Sequence, residues 1–315
     1  MSMVFCTPNR HGPVRLVVAA LAALLCAGNA LAKLNVVCTT PDLASIAREV
    51  GGDRIEITTL ARPNEDPHFV DAKPSFIVKL NRADALIHGG AELESGWLPK
   101  LVEQARNARI VSAARGNVRC CEGVPMLEVP ATLDRSRGDI HALGNPHYLT
   151  DPENARIVAH HIADAFGQLD PPNKDFYAEN ARRFVAALEA KLLEWQRIMA
   201  PHRGRQIVAY HNSWPYFAAR FGLKIELFLE PKPGIPPSPS HLANVMAQMK
   251  ERNARVILVE PYLNRRTAET VARDTGAVVV EVTQFPGGVK GTEGGYLALM
   301  DYLVNTLARA LEATK

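Results

Sequence analysis

The feature that most constrains this chain is a long amphipathic helix predicted for residues 174–199. Apolar side chains recur there at steps of three and four residues, which puts them on one face of a helix. The residues of this face are Tyr177, Ala181, Phe184, Leu188, Leu192, Trp195 and Met199. At 1.5 Å per residue such a helix is roughly 39 Å long, about the width of a small domain. We therefore expect it to lie across two lobes, with packing on a single sheet as the alternative.

Alternating strand and helix patterns occupy both sides of this helix. Residues 34–40 and 54–60 are short runs rich in β-branched side chains, and a helical pattern follows each of them. Residues 108–112 are also predicted as a strand. The same alternation resumes at residues 206–210 and 256–259. Such alternation predicts parallel sheets that are covered by helices.

The predicted fold class is therefore α/β, with two doubly wound parallel-sheet lobes joined by one long rigid helix. We predict an N-terminal lobe at residues 33–170, the linking helix at 171–203 and a C-terminal lobe at 204–315. Ligands of such architectures bind at the carboxyl ends of the strands. The loops that follow the strands are therefore where we expect functional residues.

The first 32 residues have the pattern of a secretory signal peptide. Two arginines precede an apolar run at residues 17–27, and Ala30-Leu31-Ala32 is a small-x-small cleavage site. The apolar run is short for a membrane span. Leu25 stands before Cys26, where a lipid-anchoring signal has a small residue. We therefore expect a periplasmic protein that begins at Lys33 and has no lipid anchor.

Charge balance and cysteine content narrow the partners and the compartment. The chain has 36 basic and 33 acidic residues, a balance that gives no indication of a nucleic acid partner. Export would leave Cys38, Cys120 and Cys121, which is an odd number. At most one disulfide can therefore form among them, and the sequence leaves the pairing open.

Three histidines occupy equivalent places, each in a loop at a strand end or just before a helix. They are His68, His147 and His211, and a proline precedes each of the first two. A preceding proline restricts the backbone, which suits a side chain that has to be held in place. Neutral imidazoles suit zinc and other divalent transition metals. On spacing alone a shared metal site is one hypothesis, because the chain has ten histidines and many of them serve at surfaces or helix ends.

The stretches around these histidines resemble three blocks of one protein family. Residues 63–75 (PNEDPHFVDAKPS), 144–152 (GNPHYLTDP) and 210–217 (YHNSWPYF) each contain one of the histidines. In their order and composition they resemble the blocks of the zinc- and manganese-binding solute receptors of bacterial ABC importers. The resemblance covers essentially the whole chain after the signal peptide.

This resemblance implies a periplasmic receptor, and not an enzyme, whose two lobes are joined by one rigid helix. It implies that His68, His147 and His211 hold the transported metal between the lobes. The ion would be Zn²⁺, with Mn²⁺ as the alternative. The receptor would deliver it, as a monomer, to the membrane permease of the importer.

The fourth ligand is where the chain departs from the family pattern. The family commonly has an Asp at the end of the final strand of the last lobe, and we assign that place to Thr283. A neutral hydroxyl is a weak donor, and three neutral imidazoles leave the charge of the ion uncompensated. We therefore predict Glu260 as the fourth ligand, because it ends a strand that points to the same cleft as His211. Glu281 and Glu230 are the next candidates. The alternative is that Glu260 only caps the next helix or pairs with an arginine such as Arg265.

A second departure concerns the loop before His147. In the zinc branch of the family this loop is often rich in histidine and acidic residues. Here His141 is the one histidine between residues 113 and 145. The resemblance therefore does not extend to a metal-gathering loop.

Two other functions fit the same residues. Three histidines with an open fourth position are also the pattern of a catalytic zinc. The chain has no HExxH-type helix and no evident general base, which argues against a hydrolytic enzyme. A surface adhesin on the same scaffold, with a structural metal, is the second alternative, and unfolding on chelation would favour it.

Overall fold

The computed structural model describes residues 1–3, 33–131 and 141–315. Apart from residues 1–3, the predicted signal peptide lies outside the described residues. By its internal contacts the chain divides into Met1–Lys33 and Leu34–Lys315, and the fold below is that of the second unit. No helix in the described part of the chain is both long and apolar enough to cross a membrane.

The first lobe is built on a parallel sheet of four strands in the order β2-β1-β3-β4. Its elements are β1 (Leu34–Cys38), α1 (Pro41–Gly51), β2 (Ile55–Thr59), α2 (Pro74–Arg82), β3 (Ala85–His88), α3 (Leu98–Ala105), β4 (Asn117–Arg119) and α4 (Pro152–Leu169). Val36 and Cys38 of β1 are buried in one hydrophobic core, and Val37 between them is buried in another. Side chains of a strand alternate between the two faces, so both faces of this sheet are covered, as predicted.

The second lobe repeats this plan with a parallel sheet in the order β6-β5-β7-β8. Its elements are β5 (Gln206–Ala209), α6 (Pro215–Phe221), β6 (Lys224–Phe228), α7 (Pro239–Glu251), β7 (Val256–Val259), α8 (Arg265–Thr275), β8 (Val278–Glu281) and α9 (Tyr296–Ala313). All four residues of β7 are buried, and they alternate between two cores. A central strand that is covered on both faces is apolar throughout for this reason.

The long helix α5 (Lys174–Met199) begins and ends at the predicted residues. All seven side chains of its predicted apolar face are buried. This face belongs to a single hydrophobic core that also contains side chains of β1 from the first lobe and of β5 and β7 from the second. Trp195 fixes the end of the helix, since its Nε1 donates to Oδ1 of Asp301 on α9 at 2.8 Å. The helix therefore packs on both lobes.

The strand predicted at residues 108–112 is wrong. Those residues form turns, and the edge strand β4 follows at Asn117. Asn107 accounts for the turn, because its Oδ1 accepts the N–H of Arg109 at 3.0 Å. Ile110, which suggested a strand, is instead fully buried in the core beneath α2 and α3.

Polar contacts join the two lobes at the segment before α4. The side chain of Asp151 caps α4, because its Oδ1 accepts the N–H of Glu153 at 3.0 Å. The same carboxylate accepts a hydrogen bond from the guanidinium of Arg220 on α6. The hydroxyl of Tyr296 on α9 donates to the carbonyl of Leu149 at 2.7 Å. The second lobe thus holds the segment that carries His147.

The cysteines of the described chain are free thiols. Cys38 and Cys120 are fully buried, and burial raises the pKa of both thiols. Cys121 is half-buried. No disulfide joins them in the described part of the chain, and buried thiols such as Cys38 and Cys120 pack as small hydrophobic side chains.

Candidate metal centre

Three separate segments bring the predicted histidines together. His68 lies in the loop after β2, and His147 lies in the segment before α4. His211 lies two residues beyond the end of β5, and β5 pairs with β6 on one side and with β7 on the other. This reversal of strand order is the place where ligands bind in doubly wound sheets.

The three imidazoles form what we call the histidine cluster: His68, His147 and His211. One nitrogen of each ring lies within 4.8 Å of one nitrogen of each of the others. The ring centroids are 5.1 Å apart for His68 and His147, 5.6 Å for His68 and His211, and 5.4 Å for His147 and His211. The Nε2 atoms of His68 and His147 are buried and have no hydrogen-bond partner in the part of the chain that the structure describes. Buried polar atoms are nearly always paired, so these orphaned nitrogens indicate a place for a cation.

Two carboxylates orient two of the rings. Oδ1 of Asp66 accepts a hydrogen bond from Nδ1 of His68 at 2.9 Å, and Oε1 of Glu230 accepts one from Nδ1 of His211. Burial alone would lower the pKa of His211, but the hydrogen bond and the charge of Glu230 raise it. Burial alone would raise the pKa of Asp66, but its hydrogen bonds with His68 and the His68 charge lower it. Each carboxylate keeps a proton on Nδ1 and leaves Nε2 as the donor atom for a metal.

The third ring, His147, is held by neutral groups. Its backbone N–H donates to Oδ1 of Asn145 at 3.0 Å. Burial lowers its pKa well below the ordinary value, and the neighbouring His68 and His211 lower it further. A hydrogen bond with the Gln284 side chain acts in the opposite direction. His147 is therefore neutral, which is the form that binds a metal.

The predicted fourth ligand, Glu260, lies near the cluster but is outside the set of atoms that approach within 4.8 Å. Its Oε1 accepts the indole N–H of Trp214 at 3.0 Å, and its buried Oε2 has no partner. Burial raises the pKa of Glu260 to about 7, against the opposing charge of His211. Arg265 does not pair with it, since that guanidinium binds Glu269 at 2.8 Å. Glu260 is therefore a buried carboxylate beside the cluster with one free oxygen.

The segment after β8 contains a side chain that the sequence analysis missed. Glu281 is exposed and faces Arg265, so it does not reach the cluster. Thr283 is fully buried, and its hydroxyl bonds the backbone of Phe285 in both directions. Gln284 is the residue that contacts His147, and its Nε2 donates to the hydroxyl of Tyr262 at 3.0 Å. Gln284, and not Thr283, is thus the side chain of this segment that contacts His147, and the assignment of the family position to Thr283 stays a prediction.

Two cavities border the cluster. One of about 580 Å³ is lined by His141, His147, His211, Glu128 and Glu230, among others. The other, of about 310 Å³, is lined by Asp66, His68 and His211. The His141 ring lies 5.3 Å from that of His68, and burial lowers its pKa to about 4, helped by the neighbouring histidines. His141 lies at the edge of the cluster and is not one of the three closely spaced donors.

Comparison with known proteins decides the family. The model of the family described as ZnuA, zinc-uptake complex component A, periplasmic, matches residues 36–310. The chain belongs to this family. The resemblance inferred from the three histidine blocks is thereby confirmed.

Relatives of this chain are named for different metals. A metal ABC transporter substrate-binding lipoprotein, ScbA of Streptococcus cristatus, is 26% identical over 287 residues, which are 89% of each chain. The manganese ABC transporter lipoprotein PsaA of Streptococcus anginosus is 25% identical over 286 residues, with the same coverage. The iron ABC transporter lipoprotein MtsA of Streptococcus pyogenes serotype M1 is 25% identical over 286 residues, again 89% of each chain.

A crystal structure of ZnuA has the same fold. The two structures superpose with a TM-score of 0.75 at 23% identity, over 89% of this chain and 99% of the other. The predicted architecture of two lobes and a linking helix is therefore confirmed. As a family member, the chain is the metal-binding receptor of an ABC importer and not an enzyme.

Proposed function

We propose that this chain is a periplasmic zinc receptor that holds one Zn²⁺ between its lobes and delivers it to a membrane permease. The ligands in this proposal are His68, His147 and His211. The observation that carries it is the histidine cluster itself, in which two buried Nε2 atoms have no partner among the described residues. Neutral imidazole nitrogens of this kind are the donors that zinc favours.

The donor set supports zinc over manganese. Mn²⁺ suits carboxylate and water oxygens, whereas imidazole suits Zn²⁺. The carboxylates nearest the rings, Asp66 and Glu230, already accept hydrogen bonds from them. Gln284 offers only a neutral amide. The family description names zinc, whereas two relatives are named for manganese and iron, so a metal competition is the decisive measurement.

We propose Glu260 as the anion that completes the site. Three neutral imidazoles leave the double charge of Zn²⁺ without compensation, and a cation in a buried place needs a nearby negative group. Glu260 is 1% exposed, and its Oε2 has no hydrogen bond within 3.5 Å to a described residue. Glu260→Gln should therefore keep the fold and weaken zinc binding. Unchanged binding would mean that water or another group completes the shell.

We further propose that residues 1–32 are removed on export and that the mature receptor acts as a monomer. Its lobes would comprise residues 33–170 and 204–315, with residues 171–203 as the linking helix. The three relatives named above are lipoproteins by name. Fractionation of cells that express the full-length chain tests this point, since a lipid anchor would put the protein in the membrane fraction.

The main experiment measures metal stoichiometry and competition on the purified mature chain. We expect one Zn²⁺ per chain, displacement of bound Mn²⁺ and Fe²⁺ by Zn²⁺, and a large loss of affinity in His68→Ala, His147→Ala and His211→Ala. His88→Ala is the matched control, because that half-buried imidazole bonds Asn117 at 3.0 Å in the first sheet. Preference for Mn²⁺ over Zn²⁺ would replace zinc by manganese in this proposal. Unaffected binding in the three variants would end it.

A further inference from the structure

The side-chain amide of Asn145 links the two lobes beside the histidine cluster. Its Oδ1 accepts the backbone N–H of His147 at 3.0 Å, and its Nδ2 donates to the backbone carbonyl of Asn212 at 2.9 Å. His147 belongs to the first lobe, and Asn212 directly follows His211 in the second. We call this pair of hydrogen bonds the Asn145 bridge.

Further contacts fix the Asn145 bridge from both lobes. Oε2 of Glu128 accepts hydrogen bonds from Nδ2 of Asn145 at 2.9 Å and from Nδ2 of Asn212 at 2.8 Å. The hydroxyl of Tyr216, on α6 of the second lobe, donates to the carbonyl of Asn145 at 2.7 Å. The same hydroxyl accepts the N–H of Leu127 at 3.0 Å. Asn145 is 8% exposed and Tyr216 is 2% exposed, so water competes little for these bonds.

The metal-free cluster needs such a restraint. Its imidazole nitrogens are desolvated, and two of them have no hydrogen-bond partner among the described residues. A buried polar atom without a partner costs free energy, so the unrestrained lobes would gain by separating and letting water in. The Asn145 bridge opposes this separation, because it binds the backbone of His147 in one lobe and that of Asn212, the residue after His211, in the other.

We infer that Asn145 is a positioning residue, which sets the separation of His147 and His211 before the metal arrives. This inference rests on the proposed function, because it assigns these histidines as ligands. A site that is held in its binding geometry gains affinity, since binding no longer has to order the two lobes. Asn145 itself touches no metal in this scheme and acts through the backbone positions of the two ligands.

The alternative role for Asn145 is local. An Asn whose Oδ1 accepts the N–H two residues later closes a turn by itself, without any contact to the second lobe. Asn145→Asp separates the two roles, because the carboxylate keeps this acceptor but cannot donate to Asn212. It also adds negative charge near a cation site, which on electrostatic grounds alone would strengthen binding. The new carboxylate also faces Oε2 of Glu128, so Asn145→Asp is measured both alone and in a Glu128→Gln background, where this repulsion is absent and binding should still be weaker than in Glu128→Gln itself.

Asn107 provides a matched control in the first lobe. It is 6% exposed, its Oδ1 accepts the N–H of Arg109 two residues later, and its Nδ2 donates to the carbonyls of Leu80 and Ala83. Asn107→Asp thus removes equivalent hydrogen bonds within one lobe. It should lower stability without altering the metal site.

The test compares Zn²⁺ affinity, by competition with a chelating indicator, and the visible absorption of the Co²⁺-substituted protein. We expect Asn145→Asp to bind Zn²⁺ at least tenfold more weakly and to change the Co²⁺ ligand-field bands, which report coordination geometry. Asn107→Asp should change neither. Tyr216→Phe, which removes one hydroxyl that holds Asn145, should shift both readouts in the same direction by a smaller amount.

The inference is overturned if folded Asn145→Asp binds Zn²⁺ within twofold of the parent and has the same Co²⁺ spectrum. Should that variant fail to fold, Tyr216→Phe with unchanged affinity and spectrum overturns it equally. Failure of the proposed function looks different, because the parent protein would then bind no Zn²⁺ at the cluster. In that case the role of Asn145 falls with it.

Discussion

Glu230 accepts a hydrogen bond from Nδ1 of His211, and the two side chains are largely buried, with 7% and 14% of their side-chain surfaces exposed. Glu230 ends up beside His211 because β5 and β6 are parallel neighbours, and each residue lies just beyond the carboxyl end of its strand. This pair resembles the Asp66–His68 pair of the first lobe. Each lobe thus supplies one carboxylate that orients one imidazole ring and leaves the Nε2 atom of that ring available to a metal.

We expect Glu230→Gln to weaken Zn²⁺ binding about 10- to 100-fold, the range typical for loss of a partner of a metal-bound histidine. The amide lacks the charge that raises the basicity of His211 and can present an N–H to it. Competition with a chelating indicator measures the effect. Glu226→Gln, at an exposed glutamate on β6, is the control and should bind as the parent does. Equal affinity in the two variants would contradict the orienting role of Glu230.

We expect Gln284→Asp to raise Mn²⁺ affinity at least tenfold, because it adds a carboxylate oxygen next to His147. Titration with Mn²⁺, followed by electron paramagnetic resonance of the free ion, measures it. Thr283→Asp is the contrasting variant. Its carboxylate would be buried where the hydroxyl now bonds the Phe285 backbone, so it should lower stability without a gain in Mn²⁺ affinity. A gain at residue 283 and none at 284 would reverse our placement of the two side chains.

We expect Arg220→Met to lower the free energy of unfolding by about 2 kcal/mol, the range for a buried charged hydrogen bond. Arg220 binds both carboxylate oxygens of Asp151 across the lobes, at 2.7 and 2.9 Å. Arg252→Met is the control, since its pair with exposed Glu226 should contribute no more than about 1 kcal/mol. Urea titrations of the metal-free proteins give both values, and equal losses would argue against a special role of the cross-lobe pair.

Metal binding should change the relative position of the lobes only slightly. Bending α5 would break hydrogen bonds along the helix, and Arg220 and Tyr296 already tie the second lobe to the segment before α4. Small-angle scattering with and without Zn²⁺ should give nearly equal radii of gyration. A large decrease on addition of Zn²⁺ would show a hinge that these contacts do not allow.

Asp42 should make the stability of the metal-free protein depend on pH. Burial raises the pKa of Asp42 to about 6, partly offset by its hydrogen bond with Thr40. Between about pH 4 and about pH 6 the folded protein therefore keeps this proton, whereas the unfolded chain has lost it. The stability of the folded protein is for this reason unaffected by Asp42 ionisation below about pH 4 and falls as the pH rises through about 6. We expect Asp42→Asn to gain stability over the parent between pH 4 and pH 7, by up to about 3 kcal/mol. Urea titrations at both pH values measure this difference, and a constant difference would contradict it.

The long helix and the three histidines could be recognised in the sequence because their signals are local. A period of 3.6 residues marks the buried face of α5, and its ends are marked by prolines close by. The histidine blocks are short runs that carry their own pattern. The strand at residues 108–112 failed for a local reason too, since a single Asn107 side chain turns the backbone there.

The details of the metal centre were beyond the sequence because they depend on side chains that meet only after folding. The strand β8 ends at Glu281. The alternation of side chains along a strand therefore does not extend to Thr283 and Gln284, and nothing in the sequence indicated which of the two contacts His147. Asn145 and Asn212 are 67 residues apart, and no periodicity links them. The amino-acid sequence by itself determined the two α/β lobes, the helix between them and the three histidines that form the cluster, because burial patterns and motifs are properties of short segments. Only the tertiary structure decided which carboxylates orient the rings and which amide joins the lobes, because hydrogen bonds between distant segments require the packed geometry of both lobes.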